Sequence, residues 1–81
     1  MFCIYVLKSA KNGKRYTGSS SKPAEVRINE HNSGTNVFTR QNRPWKLIYQ
    51  EPFATKSEAL RREKFLKSGQ GRKWLDENIR E

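Results

Sequence analysis

The chain is short of cysteine, histidine, proline and acid. Its 81 residues hold one cysteine, Cys3, one histidine, His31, and three prolines, and 8 Asp and Glu face 17 Lys and Arg. A lone cysteine excludes an internal disulfide and a paired-thiolate metal site, so Cys3 reads as a small apolar strand residue in a reducing compartment. No apolar run approaches the length of a membrane span or of a secretory signal, and the expectation is a cytoplasmic protein without a membrane partner. No zinc-finger, Walker or helix-turn-helix spacing is present, which leaves no evident element for reading base sequence. At this length the chain buries only roughly 60% of its unfolded surface, which excludes a second core and disfavours a large cofactor pocket. One domain over residues 1–81 is expected.

What is abundant is positive charge. The formal net charge is +9 and the pI about 10.1, a balance that gathers polyanions, of which nucleic acid is the commonest. Apolar residues are 33% of the chain and fall in patterned runs, which separates it from a disordered basic tail.

Phe2 to Leu7 is unbroken apolar sequence, too short for a helix and suited to a strand covered on both faces. Alternation puts Cys3, Tyr5 and Leu7 on one face and Phe2, Ile4 and Val6 on the other. Asn12-Gly13 predicts a tight hairpin returning through Lys14 to Ser19, with Tyr16 and Gly18 sharing a face. Pro23 opens a helix to about Asn32, on which Arg27 and His31 stand one turn apart and Ala24 and Ile28 form an apolar pair. After Ser33-Gly34 a polar stretch contains Arg40 and Arg43. A third strand is predicted from Trp45 to Tyr49, bracketed by Pro44 and Pro52, with Trp45, Leu47 and Tyr49 on one face. Thr55 and Glu58 match a capping box for a helix to about Lys67, and a last helix is expected from about Arg72 to Arg80, packing Trp74, Leu75 and Ile79. The predicted fold is α+β, a small three-stranded antiparallel β-sheet flanked by helices in the order β-β-α-β-α-α. Trp45 and Trp74 sit in apolar patterns and read as core.

Glu63 is the most informative residue of the predicted helix that follows Thr55. The helical wheel places it amid an inward stripe of Ala59, Leu60 and Leu66, where a carboxylate must be paired, protonated or bound to a cation. An ion pair with Arg or Lys is the ordinary alternative.

Taken together, Cys3-Ile4-Tyr5, Tyr16-Thr17-Gly18, Arg27-Ile28-Asn29-Glu30-His31-Asn32 and Glu58-Ala59-Leu60-Arg61-Arg62-Glu63 resemble the four motifs of the GIY-YIG endonuclease domain. The kind resembled is the short single-domain one, similar to the catalytic N-terminal region of the bacterial excision-repair nuclease. The resemblance implies metal-dependent hydrolysis of DNA phosphodiesters, as in DNA repair or recombination, with RNA not excluded as substrate and a targeting protein as partner. Glu63 would hold one Mg2+ or Mn2+ ion, Arg27 would clamp the scissile phosphate, Tyr5 and Tyr16 would orient or deprotonate water, and His31 would accept or relay the proton. Gly18 would allow close backbone approach to phosphate. A neighbouring arginine and a cation would both favour phenolate. Cys3 and Thr17 replace a glycine and an isoleucine of the family pattern, and Leu75 stands where many relatives have asparagine, with Asn78 nearby. Lys14, Arg15, Arg40, Arg43, Arg72 and Lys73 are candidates for contact with nucleic-acid backbone, or ordinary solvated surface. A non-catalytic nucleic-acid-binding module keeping the same fold is the alternative.

Overall fold

A computed structural model describes residues 1–34 and 41–79; Arg40 and Arg80 lie outside the described residues. The elements are β1 (Phe2–Ser9), β2 (Arg15–Ser20), α1 (Ala24–Ser33), β3 (Trp45–Phe53), α2 (Lys56–Lys67) and α3 (Gly69–Asn78). The sheet order is β2-β1-β3, with both pairings antiparallel.

The apolar run of β1 dictates its central place, because only the middle strand is covered on both faces. Ile4 and Val6 pack with Ala59, Leu66 and Leu75 beneath α2 and α3, while Tyr5 and Leu7 pack with Ala24 and Trp45 on the α1 side. The expected alternation holds, and it produces two half-cores back to back. Trp45 is buried and Trp74 packs on the α2–α3 side, both as core residues.

Three local expectations are corrected. The hairpin is not a two-residue turn: residues 10–14 form the loop, and only Gly13 takes positive φ there. Asn12 instead accepts from the Lys14 N–H through its side chain and donates to Asn42 Oδ1 at 2.6 Å, so the loop is tied to a distant segment. In β3 the pairing jumps from Val6–Tyr49 to Leu7–Leu47, leaving Ile48 as a bulge. One inserted residue resets the alternation, so Trp45 and Leu47 face α1 whereas Tyr49 joins Ile48 on the opposite face. Pro52 does not end the strand, since β3 is an edge strand and an edge tolerates a residue with no N–H.

The third correction concerns the helices. Thr55 caps α2 by accepting from the Glu58 N–H, and the Glu58 carboxylate accepts from the Thr55 hydroxyl rather than from its backbone. Ala59 and Leu66 are buried, but Leu60 is 46% exposed. The small Ala59 makes the close approach to the sheet, and Leu60 is turned about 100° away from it. The next helix, α3, starts at Gly69 and not Arg72, because Ser68 caps it by accepting from the Gly71 N–H at 3.2 Å. Leu75 is buried, with Trp74 and Ile79 packed beside it.

The α2–α3 corner is tight enough to require glycine at one position. A Cβ on Gly71 would lie 2.0 Å from the Phe65 carbonyl oxygen and 2.5 Å from Leu66 Cα, whereas one on Gly69 would meet nothing within 4 Å. Because the obstruction is backbone, Gly71→Ala is expected to destabilise the fold by about 1–3 kcal/mol. Gly69→Ala is expected to leave stability within about 1 kcal/mol of wild type or raise it slightly. Urea midpoints of the two variants measure the contrast.

Candidate active site

Tyr5 comes from the centre of β1 and Tyr16 from β2, both on the α1 side of the sheet. Their ring centroids are 6.4 Å apart, and His31 lies 5.9 Å from Tyr5 and 4.8 Å from Tyr16. The Tyr5 hydroxyl accepts from Arg27 Nε at 3.4 Å and lies 3.1 Å from His31 Nε2. With the oxygen already accepting from a cation, Tyr5 donates its proton to Nε2, which places the ring proton of His31 on Nδ1. Nδ1 is buried without a hydrogen-bond partner among the described residues.

Gly18 is paired with Tyr5 across the strands, and a Cβ there would stand 2.6 Å from the Tyr5 hydroxyl oxygen and 3.2 Å from a Tyr16 ring carbon. The volume left by the missing side chain is filled by the tyrosines. Tyr5 is 1% exposed and His31 2%, while Tyr16 and Arg27 are only partly covered. The constellation thus has a buried pair, Tyr5 and His31, behind an accessible pair, Tyr16 and Arg27.

Burial sets the titration of the buried pair. It raises the Tyr5 phenol above its ordinary value, with the charges of Tyr16 and Glu63 acting in the same direction against the hydrogen bond and charge of Arg27. Arg27 does pull towards phenolate as expected, but desolvation of the ring outweighs it, so the net shift is upward and not the helpful one expected. Burial also lowers His31, and Arg27 adds to that shift, so the imidazole is neutral at pH 7 and able to accept at Nε2. A histidine whose folded pKa is depressed contributes stability that is complete above the unfolded value, about 6.5, and is lost as pH falls towards the folded pKa. His31 is the sole histidine. Unfolding midpoints are expected to fall as pH drops below about 6.5 in the wild type. His31→Gln is expected to flatten that limb, although it lowers stability at neutral pH.

Arg27 is aimed by Glu30, which accepts from its Nη1 at 2.6 Å and is itself held by Lys22 at 2.9 Å. Glu63 approaches from the other side of the sheet. Its side chain is 17% exposed, and it accepts from Ser19 Oγ at 2.6 Å and from Lys67 Nζ at 2.7 Å. It thus lies on the rim of the helix interface, and the ion pair with Lys67 is present. Because Ser19 belongs to the edge strand β2, the carboxylate sits at that edge, near enough to act electrostatically on Tyr5.

Sequence reasoning overlooked Ser19, Glu30 and Lys67. The i,i+3 and i,i+4 spacings of Glu30 and Lys67 were signals in plain view. Ser19 gave none, since its partner is 44 residues away.

Of the remaining candidates, Lys14, Arg15 and Arg72 lie together on the face of the hairpin opposite the tyrosines, and the other described ones are scattered. Arg15 pairs with Asp76, Arg43 donates to the Asn32 carbonyl at 3.2 Å, and Lys14, Arg72 and Lys73 are exposed. Leu75 is a core residue, and Asn78 donates back to Trp74 of its own helix at 2.8 Å.

A three-stranded sheet brings two tyrosines, an arginine and a histidine together, with a glutamate at its open edge, and a family match to this arrangement implies a nuclease-type hydrolase domain. The family model of the GIY-YIG catalytic domain matches residues 1–75, and the chain belongs to that family. It is 48% identical over 66 residues to a UPF0213 protein of Staphylococcus saprophyticus, covering 80% of this chain and 78% of the relative. UPF0213 proteins of Staphylococcus haemolyticus and Staphylococcus epidermidis match at 42% and 41% identity over the same shares of both chains.

Proposed function

We propose that this protein is a divalent-metal-dependent endonuclease that hydrolyses DNA phosphodiester bonds. The observation carrying this reading is the Tyr5 hydroxyl held between Arg27 Nε and His31 Nε2, at 3.4 and 3.1 Å. Such a chain can carry a proton inward from the accessible side: one that reaches the Tyr5 oxygen releases the phenol's own proton to the neutral His31. Tyr16, the accessible phenol, orients the attacking water. Arg27 binds the scissile phosphate and offsets the charge that grows on it.

The residues present fit a divalent cation. Glu63 offers a hard oxygen on an accessible rim, and Mg2+ is commonly held by one or two carboxylates with water and phosphate oxygens. Among the described residues no group of three or more His, Cys, Asp or Glu converges, so water and substrate would provide the other ligands. When bound, the ion neutralises charge on a phosphate oxygen and stabilises the leaving oxygen. Ser19 fixes the orientation of the carboxylate.

Both Glu63 oxygens already have donors, and this favours a second reading, a nucleic-acid-binding module without catalysis. Metal separates the two. Supercoiled plasmid, branched DNA and RNA are incubated with the protein and Mg2+ or Mn2+, with and without chelator. Cutting that chelator removes supports the nuclease reading, and binding of all substrates without any cutting overturns it. Among the described residues no helix is long and apolar enough to cross a membrane. A cytoplasmic role in repair or recombination, with a partner supplying target choice, fits the small size of the domain.

A further inference from the structure

The second face of the hairpin carries a different chemistry. Lys8 and Arg15 are paired across β1 and β2, and with Lys14, Lys67 and Arg72 they line a cleft of about 420 Å³ between the hairpin and the α2–α3 corner. Thr17, Leu66 and Leu75 form its remaining walls together with Gly13. Alternation puts Lys8, Arg15 and Thr17 on the face opposite Tyr5 and Tyr16, so the cleft is separate from the tyrosine site and lies across the edge strand from it.

The positive charge around the cleft is only partly neutralised within the protein. Asp76 pairs with Arg15 and Glu63 with Lys67, but Lys14 and Arg72 are exposed with no acidic partner among the described residues. Arg72 lies in the first turn of α3, whose positive dipole end contains no acidic residue. No aromatic side chain among the described residues lines the cleft. It therefore has no platform for stacking a base, and its chemistry suits phosphate. Its volume suits a nucleotide-sized segment of one strand and not a duplex. Lys67 joins the two sites, since it lines the cleft and also donates to Glu63.

We propose that this cleft binds the backbone phosphates of the single strand that continues from the bond cut at Glu63 and Arg27. The inference rests on the nuclease reading and adds a second anchoring site to it. A strand rounding the edge of β2 leaves the tyrosine side, passes Glu63 and enters the cleft. Lys67 then exchanges a carboxylate oxygen for a phosphate oxygen, leaving Glu63 open to a cation. Since the contacts are to phosphate, affinity here is independent of base sequence and steep in salt.

The test is a metal-free titration of the full chain with a fluorescent DNA carrying a single-stranded flank, followed by anisotropy at several salt concentrations. For the Lys14→Gln/Arg72→Gln double variant, affinity is expected to fall about tenfold at low salt. Its log–log salt slope is expected to shrink by about 1.4, from about 0.7 per single-strand phosphate. The Lys14→Arg/Arg72→Lys variant keeps the charges and is expected to bind within about twofold of wild type. Wild-type affinity and slope in the Gln variant would overturn the cleft while leaving metal-dependent cutting to be judged by its own assay. Failure of the wild type to bind any DNA would overturn both.

Discussion

Glu63→Gln is expected to reduce metal-dependent nicking about 100- to 1,000-fold, the rate equivalent of roughly 3–4 kcal/mol of lost transition-state stabilisation. The change is isosteric, so the Ser19 hydroxyl can still donate to Oε1, and the shape of the β2 edge is kept. What disappears is the charge. A neutral amide oxygen is a much weaker ligand for a hard divalent cation than a carboxylate oxygen. The lost ion pair with Lys67 is an i,i+4 contact whose lysine is largely exposed, worth about 0.3–0.5 kcal/mol, so the melting temperature should barely move. DNA affinity without metal should be unchanged or higher, because the variant is less acidic at its nucleic-acid face. Nicking rates, thermal melts and Mn2+ binding followed by electron paramagnetic resonance measure the three quantities separately. Wild-type nicking by the variant would remove Glu63 from the mechanism.

The second large effect is expected from Gly18→Ala, a substitution that adds one methyl group and removes no functional atom. That methyl would stand 2.6 Å from the Tyr5 hydroxyl oxygen and 2.7 Å from the carbon bearing it. Tyr5 cannot withdraw, because it is fully buried and its hydroxyl is held by Arg27 and His31. Tyr16, 3.2 Å away, obstructs the other direction. The ring must tilt and its hydroxyl must leave at least one partner. Activity should fall about 100-fold, since displacement by about 1 Å at a reacting group has effects of that order. Stability should fall by about 1–3 kcal/mol, the usual range for overpacking. A variant that cut and melted like wild type would show that the Tyr5 network is not needed for cutting.

Much of this arrangement was legible in the residues. The apolar run of Phe2 to Leu7 predicted a strand covered on both faces, because every position along it needed cover, and the sheet order makes it the central one. Alternation then assigned Tyr5 to one half-core and Ile4 with Val6 to the other. The four-residue spacing of Arg27 and His31 placed both on one face of α1, and that face meets Tyr5. The third strand was less legible. A period of two holds only while the ladder is regular, and the bulge at Ile48 sends Tyr49 to the face opposite Trp45. Nothing local to Leu47-Ile48-Tyr49 announces that bulge. Leu60 was misplaced for a related reason: hydrophobicity alone does not say which side of a helix approaches the sheet, and here the small Ala59 does so.

By itself the sequence determined the order of elements, a first strand covered on both faces and the shared helix face of Arg27 and His31, since these follow from local periodicity. The tertiary structure alone decided the surroundings of the candidate side chains. Burial raises Tyr5 against the pull of Arg27 and lowers His31, and desolvation depends on what covers a residue, which no local pattern contains. The pairing of Glu63 with Ser19 and the basic cleft beyond it arise in the same way, from side chains that meet only once α2 and α3 pack across the hairpin.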